Sequence, residues 1–476
     1  MIRNWLNIAP AGEQTFTLNE STTFDTEVIR SKLWYRGDTD ELSQFFGQIN
    51  KFGRKTAFWE SAPTNENIRK IHSGLPAIIA DTLAYLVSSD LDNIEVNSDI
   101  WKEIEEYLDF RNIVKRAVID TLVCGDGAFK ISVDKEISKY PIVEFVGAEG
   151  VEFERKRGIV TAVIFKTHYC ERSKNYTLVE RYEKGVITSR LYDDNGIEYP
   201  LETLPQLAGI ENVTIFDGDY IMAVPLRFYD SQKFSGRGKS IFSGGKSDCF
   251  DALDEVISQW WDALRMGRVK QYIPQDMIPR NPENGSLNSP NRFGNDYIMT
   301  SPPLVDGVDN QKIEVIQPDI KYEAFVSSYT NAVLMCLQGL VSPATLGIDV
   351  GKMSSAEAQR EKKDVTGNTR NTVTSVLEKA LPTLITAILK TFDNMQDEPP
   401  GEYEASVTFG EYGAPDFDSR VETIGKASTY GIMSVETQVN ELWGSSKDDD
   451  WKAHEVERIK SEQGVEQMNE PTFTEV

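Results

Sequence analysis

One stretch, from Lys246 to about Lys390, narrows the folds open to this chain: a helix, a loop-rich insert, a second helix, a glycine-bearing loop and a long third helix. In the first helix, KSDCFDALDEVISQWWDALRMGRVKQY, residues Phe250, Leu253, Ile257, Trp260 and Leu264 recur at three-and-four spacing as one apolar stripe. Asp248, Asp251, Asp254 and Glu255 crowd its start while Arg265, Arg268 and Lys270 sit at its end, an arrangement that complements the helix dipole. The pattern predicts a helix over 248–271, roughly 35 Å long at ~1.5 Å per residue. The insert, 272–318, carries IPRNPENGSLNSPNRFG and TSPPLVDG, in which Pro, Gly and Asn interrupt every run, so short strands and turns are predicted. The return helix, IKYEAFVSSYTNAVLMCLQGL over 320–340, repeats the stripe at Tyr322, Phe325, Tyr329, Val333 and Leu337. Two helices of matched length around a compact insert predict an antiparallel hairpin with a tip.

After that hairpin comes VSPATLGIDVGKMSSAEAQ, where Pro343, Gly347 and Gly351 exclude a regular helix and Leu346, Ile348 and Val350 supply apolar contacts. Ser354 and Glu357 have capping-box spacing for a third helix, whose apolar positions run from Val365 through Val373, Leu377, Leu384 and Ile388 to Phe392. Pro382 lies inside it and predicts a bend, because proline removes a backbone donor and crowds the preceding turn.

The bulk numbers exclude several classes. A 476-residue chain with 40% hydrophobic and 26% charged residues is globular and large enough for about two to four packing units. No apolar run approaches about eighteen residues, so no membrane span is expected. MIRNWLNIAPAGEQ lacks the apolar core of a signal peptide, so the chain is expected to stay in the cytoplasm where it is made. Cys124, Cys170, Cys249 and Cys336 share no short paired spacing and read as reduced packing residues. The formal charge of −25 opposes tight gripping of nucleic-acid phosphates. Charge is also unevenly placed: from Thr391 onward there are 20 Asp and Glu against 6 Lys and Arg, whereas Gly351–Lys390 holds 7 basic and 4 acidic residues.

Ahead of this stretch the chain reads as an α+β platform. Residues 1–36 read as an arm rather than core, Asp38 and Glu41 suit the start of a helix through Ile49, and Ile68 to Leu86 predict an amphipathic helix despite Pro76. Trp101 to Leu108 and Ile113 to Leu122 predict two more helices. Gly125 and Gly127 then switch the period to strands at 128–134, 141–146, 159–168, 175–183, 186–192 and 219–224, with DDNG at 193–196 as a hairpin signal. Tyr403 to Phe409 predicts a strand returning to that front sheet, and Phe417 to His454 predicts short helices.

Catalytic and metal motifs are weighed against plainer readings. GRGKSIFSGGKSD fails the phosphate-binding pattern, since Ser240 stands where Gly is needed before Gly245-Lys246-Ser247, and Lys233 where it is needed before Gly238-Lys239-Ser240. His72, His168 and His454 have no ligand spacing, Asp448-Asp449-Asp450 reads as a solvated helix start, and no nucleophile context stands out, so no catalytic, metal or cofactor residue is expected. Trp260 and Trp261 are adjacent on a helix and cannot share a face, which favours packing or interface roles over base stacking.

The order of these parts resembles the portal proteins of tailed bacteriophages, from about Leu42 to Trp451. LVCGDGAFKISVD with PIVEFVGAEGVEFERKRGIVTAVIFKTH resembles that family's wing, and RFYDSQKFSGRGKSIF resembles the segment that enters its stem. The resemblance implies an α+β, portal-like multidomain subunit with a mixed α/β wing, an antiparallel helical stem, a small clip insert, a long bent helix and an α-helical crown. Its parts would be a wing at 1–245, stem helices at 246–271 and 319–340, a clip at 272–318, a tunnel loop at 341–353, a long helix and return strand at 354–412, and a crown with acidic tail at 413–476.

The implied site residues are the DNA-facing loop Leu346, Gly347, Ile348, Asp349, Val350, Gly351, Lys352 and Met353, the stem channel candidates Arg265, Arg268 and Lys270, and the clip docking residues Pro279, Arg280, Asn291, Arg292 and Phe293. Lys352 reads either as a contact to a polyanion or as an ordinary exposed lysine. The three stem cations either face DNA or pair with acids of a neighbouring subunit. The implied partners are a homo-oligomeric ring of about twelve copies, double-stranded DNA, the large terminase, a head-completion adaptor, and scaffolding and major capsid proteins, with no membrane and no cofactor. The implied location is the virion, at the capsid portal vertex, after assembly in host cytoplasm. A nucleic-acid-processing ATPase subunit and a monomeric cytoplasmic scaffold or adaptor stand as alternatives.

Overall fold

The computed structural model describes residues 22–49, 58–59, 68–172, 174–207, 209–274, 282, 285, 297–300, 314–348, 356–410, 417–444 and 448–462. It divides into two compact units, Met1–Gly410 and Glu411–Val476. Helix and strand are mixed throughout the first unit, as the α+β reading expects.

The front of the chain contributes more core than an arm would. Helix α1, Phe24–Arg36, is capped by Thr23, whose hydroxyl accepts from the Thr26 N–H at 3.3 Å. Val28, Leu33 and Trp34 on it are buried, which corrects the reading of this segment as an edge piece. Helix α2, Thr39–Ile49, starts as expected, with Asp38 accepting from the N–H groups of Asp40 and Glu41. Helix α3 is shorter than predicted, Leu75–Ser89, because Pro76 is tolerated only in a first turn where no backbone donor is needed. The residues just before it, 68–74, are not helical. Helices α4, Ile100–Leu108, and α5, Phe110–Cys124, are separated by Asp109 in a left-handed conformation at φ 50°.

Strand β1, Leu91–Val96, overlaps the polar run SSDLDN at 88–93, which from its composition reads as the end of the helix before it. The predicted strand at 128–134 is β2, Asp126–Ser132, the centre of an antiparallel sheet β10-β2-β3 with β3 at Ile142–Gly147 and β10 at Ala223–Arg227. Strand β10 is displaced from its predicted 219–224, and its Pro225 is accommodated because β10 is an edge strand. A second sheet runs β4, Val151–Lys156; β5, Ile159–Glu171; β6, Lys174–Glu183; β7, Val186–Asp193; β8, Glu198–Tyr199, with β9, Val213–Ile215, also on β7. DDNG forms the hairpin into β8: Asp193 accepts from the N–H groups of Asn195 and Ile197, both at 2.9 Å.

Helix α6 spans Gly245–Met266, the insert gives β11, Lys270–Pro274, β12, Tyr297–Thr300, and β13, Glu314–Ile316, and helix α7 spans Tyr322–Leu337. These three strands form one small sheet with β11 at its centre. Helix α8 then runs Ala356–Met395 without ending at Pro382. Its Val365–Met395 portion has the length and apolarity to cross a bilayer, yet Leu377, Leu381, Leu384, Ile385, Ile388 and Leu389 are fully buried in the protein core. Strand β14, Ala405–Phe409, pairs antiparallel with β1 and not with the front sheet, a correction that follows from the missed partner strand. In the second unit, α9, Phe417–Thr429, α10, Val435–Trp443, and α11, Asp449–Glu462, match the predicted short helices. Asp448 caps the last of them, accepting from the Trp451 N–H at 2.9 Å.

Candidate channel-lining site

Helix α6 is fastened along its first half by its own acids. Asp251 accepts from the backbone N–H groups of Phe58 and Trp59 at 2.7 and 3.1 Å, and burial pushes its carboxyl above the usual range against the pull of those donors. One turn on, the fully buried Asp254 accepts from the Trp59 indole at 3.1 Å and the Ser73 N–H at 2.8 Å, and its other neighbour is His72 Nδ1 at 2.7 Å. Ser258 Oγ accepts from the Ile71 N–H at 2.9 Å. The acids that read as dipole partners therefore hold non-helical segments against the helix. His72 is one of these contacts, through its Nδ1 atom.

Two contacts at opposite ends show that α6 and α7 are antiparallel. In the first turn of α6, Lys246 Nζ donates to the carbonyls of Met335, Cys336 and Gln338 at 2.8, 3.2 and 2.6 Å, closing the C-terminal end of α7. At the other end, the α6 cap Gly267 lies against Ile320 just before α7, so closely that an added Cβ would stand 2.7 Å from the Ile320 Cδ1 atom. Between them Trp260 stacks on Phe325, with centroids 6.2 Å and planes 5° apart. Trp261 faces elsewhere and is 61% exposed. Lys246, the residue a phosphate site would need, is thus occupied as a helix cap.

The segment after α7 is tied down at its near end. Pro343–Leu346 form a single 3-10 turn closed by Gly347 in the left-handed region at φ 68°. Thr366 Oγ1 on α8 accepts from the buried Ser342 N–H at 2.8 Å, and Thr369 Oγ1 donates to the Leu340 carbonyl at 2.7 Å. Next to them Arg370 donates to Asp90 at 2.8 Å and to the Gly410 carbonyl at 2.5 Å, joining α8 to the ends of β1 and β14. A Thr366→Val chain is expected to lose about 1–3 kcal/mol by stranding the Ser342 donor. Hydrogen exchange should quicken at residues 340–348 ahead of the rest of α8, and unchanged exchange there would refute the anchoring role.

The predicted site residues fall into different settings. Leu346 and Ile348 are half-buried against the core and so belong to the anchored part of the loop, while Gly347 is exposed. Asp349, Val350, Gly351, Lys352 and Met353 lie outside the described residues, as do Pro279, Arg280, Asn291, Arg292 and Phe293. Arg265 is in the last turn of α6 and pairs with Asp262 at 3.1 Å. Arg268 lies past the helix and is exposed, and Lys270 opens β11, so the predicted helix of 248–271 overruns its true end. The helix stops because Gly267 caps it and the β-forming run Gln271, Tyr272, Ile273 follows. Thr366, Thr369 and the capping role of Lys246 carry no sequence signal, since each depends on a partner far along the chain.

Trp261, Leu264, Met266, Tyr322, Leu334 and Met335 leave an apolar surface on the helix pair. Beside it a cavity of about 520 Å³ lies among Leu334, Met335, Leu337, Val341, Pro343 and Val365.

Comparison with known proteins identifies the family. Residues 16–468 match a family described as phage portal protein, SPP1 Gp6-like. A solved structure entitled "Neck of native GTA particle computed with C12 symmetry" is similar at 10% identity and a TM-score of 0.39, over 78% of this chain and 90% of that one. No curated protein matches. The class is therefore that of phage portal proteins, structural proteins of the virion that form an oligomeric ring at a capsid vertex. Within that class, the chain belongs to the SPP1 Gp6-like portal family.

Proposed function

We propose that copies of this chain, about twelve to a ring, surround an axial channel through which double-stranded DNA enters the capsid during packaging and leaves at ejection. In this reading α6 and α7 are the stem around the channel, 272–318 the clip outside the head, 341–353 the tunnel loop, 1–245 with 354–412 the wing, and 413–476 the crown. The observation that carries it is the family match over 16–468, which includes the antiparallel α6–α7 pair and the loop behind it.

Charge supports the same reading. About twelve copies at −25 each carry roughly −300, so the walls repel phosphates and DNA slides instead of sticking. Lys352, with Leu346 to Met353 around it, supplies weak and exchangeable contacts, and Arg265, Arg268 and Lys270 mark the lower stem. The clip, with Pro279, Arg280, Asn291, Arg292 and Phe293, docks the large terminase and later a head-completion adaptor, while scaffolding and major capsid proteins surround the wing. Assembly takes place in host cytoplasm, and the energy of packaging comes from the terminase.

Sedimentation and negative-stain imaging of the purified chain test this. The expected particle is roughly 640 kDa, about twelve chains of 53.6 kDa, with a central hole. A species near the 53.6 kDa of one chain at micromolar concentration would contradict it.

A further inference from the structure

A local excess of positive charge stands out among the described residues of an acidic chain. Around the loop between β10 and α6, three guanidinium groups meet two carboxylates. Arg227 pairs with Asp230 at 2.9 Å, and Arg237 with the buried Asp126 at 2.8 Å. The third, Arg155 on β4, has no ion pair among the described residues, its buried Nε has no hydrogen-bond partner among them, and its guanidinium lies 5.9 Å from the centroid of Phe153. The acids beside it on the same strand are also engaged, Glu152 with Lys166 and Glu154 with Arg181. Burial first, and then the neighbouring Arg227, push the Arg155 pKa down, the direction expected of a cation short of a counter-charge.

Its surroundings have the form of a presented site. Strand β4 is the edge of its sheet, and its register with β5 shifts between Glu154 and Arg155, a bulge that re-aims the side chain. The hairpin then turns through Arg157 and Gly158, at φ 54° and 84°. Such a two-residue turn favours Asn or Asp before Gly. A bulky arginine held there in the left-handed region is a strained choice, and strain of this sort collects at working positions. Lys156 and Arg157 are both exposed and make no ion pair among the described residues.

We propose that this hairpin end, with Arg155 at its base and Lys156 and Arg157 at its tip, docks on an acidic surface of the neighbouring copy in the ring and seats one of its carboxylates on Arg155. The proposal rests on the ring that family membership gives. In a cyclic assembly one face of each copy meets a different face of the next, so a basic tip needs a complementary acidic patch on the same chain. With 75 acidic against 50 basic residues every copy has carboxylates to offer, and a ring of such copies needs local attraction to offset its self-repulsion.

The test uses the full-length chain with Arg155→Ala and, separately, Lys156→Gln with Arg157→Asn, the latter giving the turn a residue it accepts more easily. Sedimentation velocity across protein and NaCl concentrations reads assembly, and thermal melting reads the fold. The expected result is an unchanged melting temperature of the unassembled chain, a midpoint for ring assembly raised about tenfold or more, and a weaker salt dependence than wild type. Variants that assemble at the wild-type midpoint with the wild-type salt slope overturn the proposal. So does a loss of short-duplex DNA binding with assembly unchanged, which would assign the hairpin to phosphates instead. A wild-type chain that never assembles overturns the ring reading and this proposal with it.

Discussion

An Arg237→Met chain is expected to lose about 3–5 kcal/mol of stability, enough to leave most of it unfolded or insoluble. Arg237 donates to Asp126 through Nε at 3.0 Å and Nη2 at 2.8 Å, and also to the carbonyls of Ala148 and Val151 at 2.7 and 2.8 Å. Its guanidinium lies 4.0 Å from the centroid of Phe24. Asp126 is fully buried and accepts, besides, from the Gly238 N–H at 2.6 Å. Methionine keeps much of the volume but leaves the carboxylate without a counter-charge in low dielectric, where breaking a pair costs far more than never having had one. The double variant Asp126→Asn, Arg237→Met should therefore recover a large part of the loss. Urea unfolding of the wild type, both single variants and the double completes the cycle. Additive losses, or an Arg237→Met chain as stable as wild type, would show that the pair is not what holds this loop to β2.

Asp254→Ala is expected to cost about 3 kcal/mol, because it strands the Trp59 indole and Ser73 backbone donors in a buried site and removes the neighbour of His72. The consequence differs from that at Arg237, since Asp254 sits on α6 and its partners lie on residues 59 and 72–73. Hydrogen exchange should rise at 68–73 and in the first half of α6, while β5 and β6 keep wild-type protection. His72→Phe is the control: it removes one contact to Asp254 together with a buried Nε2 that has no partner among the described residues, so about 1 kcal/mol or less is expected. Equal losses for the two variants, or uniform loss of protection across the sheets, would contradict a local clamp.

The helix hairpin was legible because its signal is local. Phe250, Leu253, Ile257 and Trp260 fall on one face by spacing alone, and no other structure buries a pattern of that period as well. The insert was legible as strands and turns for the converse reason, its prolines and glycines. The errors share a cause as well. Strand β1 lies in a run whose polar residues read as a helix end, and only its pairing with β14, more than 300 positions later, makes it a strand. The α6 end was misplaced by a few residues because Arg268 and Lys270 suit a helix terminus as well as the strand that follows, and Ile320 packing against Gly267 decides between them. Of the candidate site residues, Leu346 and Ile348 could be recognised as apolar, but not as half-buried against the core.

The amino-acid order alone determined the class of fold, the succession of helix, insert, helix, loop and long helix, the absence of a nucleotide motif, and the acidic balance, since each is a property of neighbours in sequence or of totals. Tertiary structure alone decided the uses of individual polar groups: Lys246 as the cap of α7, Thr366 as the anchor of the loop, Asp254 as the clamp on α6, and Arg155 as a cation without an ion pair among the described residues. A charge or a donor can be read from one residue, but whether it is satisfied depends on a second residue that folding brings to within about 3 Å, and no local pattern carries that information.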